Sequence, residues 1–470
     1  MRTGRSCALL AALAVTACAL APPPAREDAL KEAVPNVVPP EKWTAGAAAG
    51  AVADDWLTTL HDPHLEELIR EALAYNVDLR FAAARVDAAA AAVAGVRSPM
   101  LPQVSLVGRG GGKMSGDASG LEGVGLFASW EIDLWGRVRS AVKASDLQYE
   151  SAKLDTEYAR QSIAALVAKG WVLAIEARLQ KSLAESMVAS SERIASLARD
   201  RLRVGNGDEF DVAVADANVE SLRDAVRNLD YTYSSALRAL EVLVGRYPAA
   251  IVAVADSLPP YPGDVPAGLP SELLERRPDV VAAERRVAAA FYRTQEAKAA
   301  RLPSIKLSAS YTSINSELFV LQPRDNPIAS LGAGIVQPLF LGGLLQSQVD
   351  VRTAEQRAAI ADYGKVGQRA FNEVEGALAA GASAGDREKI LSRSVSENDR
   401  ALGFANVRYR VGSLDLRSVQ QQQMALDSSR AALLRVRSER LVQLVNLHLA
   451  LGGSFEPRPE PAPQPTASAY

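Results

Sequence analysis

Trp130-Glu131-Ile132-Asp133-Leu134-Trp135-Gly136-Arg137 ends a short, glycine-rich segment that begins at Pro102. Val124, Leu126, Ala128, Trp130, Ile132 and Leu134 fall on every second position, the period of a strand with one apolar face. Long Ala-, Arg- and Glu-rich sequence lies on either side and reads as helix. The arrangement returns in Pro303–Gly343, with Ile305, Leu307, Ala309 and Tyr311, then Leu331, Ala333 and Ile335, then Pro338-Leu339-Phe340-Leu341-Gly342-Gly343. Two β islands therefore interrupt an otherwise helical chain.

Working outward, Asp62-Pro63-His64-Leu65 opens the first helix, with Asp62 as N-cap and Pro63 at the first position. Its apolar spacing continues to Arg97. Beyond the island no proline occurs between residues 103 and 247, and Gly170 is the one glycine inside Gly136–Val204, so this run reads as a single very long helix. Val138, Val142, Ser145, Tyr149, Ala152 and Thr156 alternate steps of four and three, a coiled-coil seam of mostly small residues. Gly205-Asn206-Gly207 breaks it, Asp208 caps a return helix to Leu243, and Gly245 and Pro248 end that helix.

The chain then repeats itself. Asp78 matches Asp279, Arg85-Val86 matches Arg286-Val287, and Pro102 matches Pro303 at an offset of 201; Gly136 matches Gly342 at 206, and Gly205 and Gly245 match Gly412 and Gly452 at 207. A duplicated half is the simplest account. The implied division is a signal segment over 1–17, an extended tether over 18–53 and a first repeat over 54–248 with its hairpin near 102–135. A connector over 249–271 leads to a second repeat over 272–456, with its hairpin near 303–341, and then a disordered Pro/Ala tail over 457–470.

Helix lengths constrain the architecture. At 1.5 Å per residue the Gly136–Val204 helix is about 100 Å long, and its return partner and the helix before the island are each about 50 Å. Two short helices stacked end to end match one long one, so the expected form is a rod of antiparallel coiled helices with the glycine turns at one end and the β islands at the other. Four strands cannot close a barrel, spanning barrels need about eight, and open edges are not tolerated in lipid. If the islands enter a membrane, several chains share the barrel. Phe127, Trp130, Trp135, Tyr311 and Phe340 are the interfacial candidates. Ordinary hairpins capping a soluble bundle are the alternative.

The 470 residues are 48% hydrophobic and only 6% aromatic, which suits Ala- and Val-based helix packing, and the net charge of −3 gives no basis for nucleic-acid binding. Arg2 and Arg5, the apolar run Ala8–Ala14 and Val15-Thr16-Ala17-Cys18 form a processing signal too short to span a bilayer. The signal resembles that of a bacterial lipoprotein, which implies lipid on Cys18; an ordinary secretory signal with an incidental cysteine is the alternative. Ala19 in place of Asp after the cysteine then implies the outer membrane.

Leu274-Glu275-Arg276-Arg277-Pro278-Asp279-Val280, with Ala300-Arg301-Leu302-Pro303, resembles the TolC-like outer-membrane factor family, in the lipoprotein branch that serves RND-type efflux. Asp133-Leu134-Trp135-Gly136-Arg137, Gln337-Pro338-Leu339-Phe340-Leu341-Gly342-Gly343 and Val445-Asn446-Leu447-His448-Leu449-Ala450-Leu451-Gly452-Gly453 are similar to that family's segments, in the same order. The resemblance implies a mainly α fold with a membrane β-barrel part: a homotrimer whose chains each give four strands to a twelve-stranded barrel, with the helices forming a periplasmic tunnel. It also implies a periplasmic adaptor and an inner-membrane pump as partners, and it puts the glycine turns at the tunnel's inner tip. A lipidated periplasmic coiled-coil adaptor is the competing function, and a secreted structural rod is a third.

No enzyme site, cofactor loop or metal cluster emerges. Pro63 separates His61 and His64, which rules out a shared helical face for ligation; the third histidine is His448. The tip carries acids at Asp208, Glu209, Asp211, Asp216 and Asp415, which repeat around a trimer axis and form rings that favour cations and gate by repulsion. Simple helix capping is the competing role for Asp208, Asp211 and Asp415. Arg203, Arg410 and Arg417 are placed to bridge to these acids. Where the resemblance implies a second pair of aspartates, this chain reads Gln420-Gln421-Gln422-Gln423.

Overall fold

The computed structural model describes residues 21–37, 40–46, 50–109, 121–316 and 327–456. The signal segment, Cys18 and the tail from Pro457 lie outside them. The chain runs α1 (Arg26–Ala33), α2 (Pro63–Tyr75), α3 (Val77–Arg97), β1 (Gln103–Arg109), β2 (Leu121–Ile132), α4 (Arg137–Arg203) and α5 (Glu209–Val244). It continues with α6 (Pro270–Arg276), α7 (Pro278–Ala299), β3 (Ser304–Ser316), β4 (Ile328–Val336), α8 (Leu344–Arg410) and α9 (Leu416–Ala450). Two compact units result. One comprises residues to Val38, Ala83–Asp155 and Asp279–Gly367; the second comprises Pro39–Ala82, Thr156–Pro278 and the residues from Gln368 onward.

In the first unit the four strands form one antiparallel sheet in the order β1-β2-β3-β4. The register pairs Leu106 with Leu126, Leu126 with Tyr311, and Ala309 with Leu331. One face therefore carries Val104, Leu106, Leu126, Trp130, Leu307, Tyr311 and Leu331. The other is mostly small or polar, with Ser105, Ser129, Lys306, Ser308, Thr312 and Gly332 but also Val107 and Phe127, so Phe127 lies on the opposite face from Trp130 and Tyr311. The apolar side chains on the first face are largely exposed; Leu331 is 87% and Leu106 69% accessible. The helices of this unit lie side by side. Arg97 in α3 meets Asp146 in α4 at 3.4 Å, Arg286 in α7 meets Asp155 in α4 at 2.8 Å, and the Thr294 hydroxyl of α7 donates to the Arg352 carbonyl of α8 at 3.1 Å.

The second unit holds the largest core, built on Trp171, Ile175, Leu65, Ile69, Leu240 and Val445. Asp62 caps α2 through the backbone N–H groups of His64 and Leu65 and also accepts the Trp171 indole N–H at 2.7 Å. The duplication is exact at the joints. Asn76 and Arg277, both buried, sit where the first helix pair of each repeat breaks. Asn76 Nδ2 donates to the Leu243 carbonyl at 2.9 Å, and Arg277 donates to the Ala450 carbonyl at 3.1 Å, an equivalent carbonyl near the end of the last helix. Arg277 adds Glu373 at 2.6 Å and the Tyr158 hydroxyl at 3.2 Å. Arg223–Glu192 at 2.7 Å is matched by Arg430–Asp399 at 3.0 Å. Lys181–Asp230 at 2.6 Å is matched by Glu388–Arg437 at 3.1 Å with the charges exchanged.

Three expectations are corrected. The segment assigned to an extended tether is packed: α1 is held by Arg26–Glu284 at 2.8 Å, the buried Trp43 donates its indole N–H to the Ala267 carbonyl, and Glu375 accepts the Thr44 and Ala45 backbone N–H groups. The helix expected over Leu65–Arg97 is two helices, because Asn76 Oδ1 takes the N–H groups of Asp78 and Leu79 and starts α3 afresh. The partner of Gly136 is Gly343 rather than Gly342. Both have positive φ (73° and 87°), and their carbonyls accept from Ser140 and Ser347, so α4 and α8, each 67 residues, share a constant offset of 207.

Candidate functional site: the hairpin turns and the open sheet

The two helical hairpins turn alike. Gly205 and Gly412 both have positive φ (79° and 76°), and in each turn the same two backbone bonds close the end of the long helix. Asp208 then caps α5, accepting from Phe210 N–H at 3.1 Å, and Asp415 caps α9, accepting from Ser418 N–H at 2.7 Å. The Ser418 side chain and backbone N–H hold the Asp415 carboxyl below the usual carboxylate range, and Arg417 adds to the effect. Glu209 and Asp211 lie in the first turn of α5, where the helix dipole favours acids.

Inside one chain, among the described residues, none of Arg203, Arg410 and Arg417 forms an ion pair with the acids of the turns. Within one chain Arg203 pairs with Asp200 of its own helix at 2.9 Å. Arg417 lies over the Phe210 ring, 5.1 Å from its centroid, and Arg410 makes no ion pair among the described residues. The contact that joins the hairpins is one the sequence did not single out. The Arg201 guanidinium stands 3.9 Å over the Tyr409 ring and also donates to the Tyr409 carbonyl at 3.1 Å. Burial raises the Tyr409 hydroxyl pKa, Arg201 opposes the rise, and the Asp211 charge adds to it. Around it pack Ala198, Ala405, Leu416 and Val419. Its sequence signal was the Arg-Tyr-Arg run before Gly412. Gln420–Gln423 carries no carboxylate; Gln423 instead donates to Asp427 one turn on, whose pKa is raised by burial.

At the strand ends, Trp130 donates its indole N–H to the Met100 carbonyl at 3.1 Å and Trp135 donates to the Pro303 carbonyl at 2.8 Å. Asp133 caps α4 through the N–H groups of Val138 and Arg139. No described helix is long and apolar enough to cross a membrane. β1 and β4 are the outer strands of the sheet, each with one edge unpaired by the other strands described.

The sequence pattern of the family described as outer membrane efflux protein matches residues 68–246 and 269–453. The chain belongs to that family. Among its relatives, the pyoverdine export outer membrane protein OpmQ of Pseudomonas putida is 29% identical over 96% of this chain and 97% of its own length. The cation efflux system protein CusC of Escherichia coli is 30% identical over 95% and 97%. The solved outer-membrane channel OprN superposes with a TM-score of 0.81 at 27% identity, covering 89% of this chain and 97% of the other. The protein is thus an outer-membrane efflux channel subunit with a long helical part, and it belongs to a family of transport proteins.

Proposed function

We propose that three copies form the working duct, taking solutes from an inner-membrane RND-type pump through a periplasmic adaptor and releasing them outside the cell. The observation that carries the reading is the sheet. Four strands with one apolar and one polar face, and with β1 and β4 each open on one side, cannot stand alone in lipid; a closed barrel removes both edges. Three chains supply twelve strands, apolar outward and polar toward the lumen. The duct is passive. Relatives are named for cargoes as different as pyoverdine and cations, so cargo choice belongs to the pump.

Cys18 carries the lipid anchor in this reading, in line with the small-residue run before it. Asp208, Glu209, Asp211 and Asp415 ring the narrow inner end, with Arg410 and Arg417 as their basic counterparts. The test is fractionation followed by gel electrophoresis with and without boiling. A heat-sensitive trimer extracted from the outer membrane by detergent is expected, and a monomer released by carbonate would overturn the proposal. Labelled palmitate should enter the native chain and not Cys18→Ser; equal labelling of both removes the anchor.

A further inference from the structure

We infer that the chain's own C-terminal tail docks on its second repeat, with residues 459–462 filling a cavity beside Gly385, in the seat that residues 252–255 take in the first repeat.

In the first repeat the segment after α5 turns back over the helical hairpin. Val252 is buried, and Val254, Ala255 and Leu258 pack on the core around Trp171, Ile175, Leu237 and Leu240. Arg178 of α4 holds this stretch by donating to the Val254 and Ala255 carbonyls at 3.0 and 3.1 Å. α4 and α8 run at a constant offset of 207, and α5 and α9 close alike at that offset. The Arg246 N–H donates to the Glu241 carbonyl, and the Gly453 N–H donates to the His448 carbonyl. The counterpart of 252–255 is therefore Pro459-Glu460-Pro461-Ala462, in the tail.

Its seat is open. Leu378, Ala382, Leu444 and Leu447, the counterparts of Trp171, Ile175, Leu237 and Leu240, line a cavity of about 540 Å³ that Tyr261 borders. Gly385 stands where the first repeat has Arg178, and α9 returns a guanidinium to the place: Arg440 Nε lies 3.5 Å from where a Cβ on Gly385 would stand. Arg440 Nη1 donates to Glu388 at 3.0 Å, and the guanidinium lies 3.5 Å over the Tyr261 ring. Its Nε is buried and has no hydrogen-bond partner among the described residues. What it lacks is what Arg178 has, a backbone carbonyl.

The tail carries the matching pattern. Pro457, Pro459, Pro461, Pro463 and Pro465 fall on every second position, one face of an extended chain. In the first repeat Val252 and Val254 turn in while Ile251 and Ala253 are exposed. Their counterparts put Pro459 and Pro461 inward, and Arg458 and Glu460 outward. Proline keeps its carbonyl, the group this seat uses, and suits an apolar groove bordered by tyrosine. The entry to the seat differs. Ala250 has a φ of 57°, and the N–H groups of Ala250, Ile251 and Val252 converge on Glu241. Pro457 cannot take that φ, and neither it nor Pro459 has an N–H to place. The counterpart of Glu241 is accordingly His448, whose ring nitrogens make no hydrogen bond among the described residues. The equivalence holds from Pro459 onward.

The test uses the full-length protein in detergent with Gly385→Cys, where a Cβ meets only ordinary contacts. A charged, water-soluble maleimide is added and its rate is read at the labelled peptide. The thiol should react about tenfold more slowly in the full chain than in a chain ending at Glu456, and Pro459→Asp with Pro461→Asp in the full chain should give the fast rate. Agreement of the double variant with the shortened chain separates undocking from misfolding. With a short bifunctional thiol reagent, Ala462→Cys should link to Gly385→Cys and Ser468→Cys should not. Equal rates in all three proteins overturn the proposal: if all are fast the cavity is empty, and if all are slow another molecule or a neighbouring copy covers it. Equal linking from 462 and 468 describes an undocked tail and overturns it too.

Discussion

At the residue scale, two buried polar side chains hold equivalent positions and solve different problems. Glu241 lies one turn before the end of α5. Burial alone would raise its pKa, but the backbone N–H groups of Ile251, Ala250 and Val252 outweigh that and lower it. Its counterpart His448 has neither ring nitrogen hydrogen-bonded, stacks on Trp56 at 5.7 Å, and is pushed down to about 4 by burial. A histidine with a depressed folded pKa leaves stability intact above its unfolded value of about 6.5 and loses it as pH falls from there toward 4. The loss across that window amounts to about 3 kcal/mol. Thermal melts should therefore fall between pH 7 and pH 5 in the native protein and much less in His448→Leu; parallel curves would contradict this. Arg277 is the second test. It is fully buried and ties Glu373, Tyr158 and Ala450, so Arg277→Leu should cost about 3 kcal/mol, and Asn76→Ala, which removes only neutral bonds, about 1 kcal/mol. Urea midpoints read both.

At the element scale, the helices were legible because their signals are local: Asp62-Pro63 at one start, the proline-free runs, and the Gly205 and Gly412 turns. The break at Asn76 was not, because an Asn side chain there does what Pro278 announces openly in the second repeat. α1 was hidden for a related reason. A short segment between prolines is fixed only through distant partners: α1 meets Glu284, and the Trp43–Ala45 stretch after it meets Ala267 and Glu375, all remote in sequence. In the candidate site the acids were visible as caps, while the Arg201–Tyr409 contact needed two hairpins side by side. Gly245 and Gly452 link the repeat ends to the helix breaks. Both have positive φ, and a Cβ would meet the Tyr75 carbonyl oxygen at 2.9 Å and that of Arg276 at 3.1 Å. Alanine at either should cost about 2 kcal/mol, similar in the two repeats and read as a lower melting temperature. At the turns, Asp211→Asn with Asp415→Asn should raise single-channel conductance and weaken cation preference, and unchanged values remove both acids from the gate.

At the scale of the whole molecule, the chain is half of its own solution. Each repeat covers one side of its neighbour and leaves the opposite side bare, in the helices as in the sheet. One polypeptide ends with β1 and β4 open and an apolar face of Leu106, Leu126 and Leu331 exposed. Lipid accepts that face and rejects those edges. The central claim, that chains close these edges together into a conducting barrel, is tested most directly by single-channel recording. The purified trimer in a planar bilayer should give discrete, ohmic conductance steps of one size. Intact trimer that inserts and never conducts, or that conducts only in irregular bursts like a detergent defect, would contradict it.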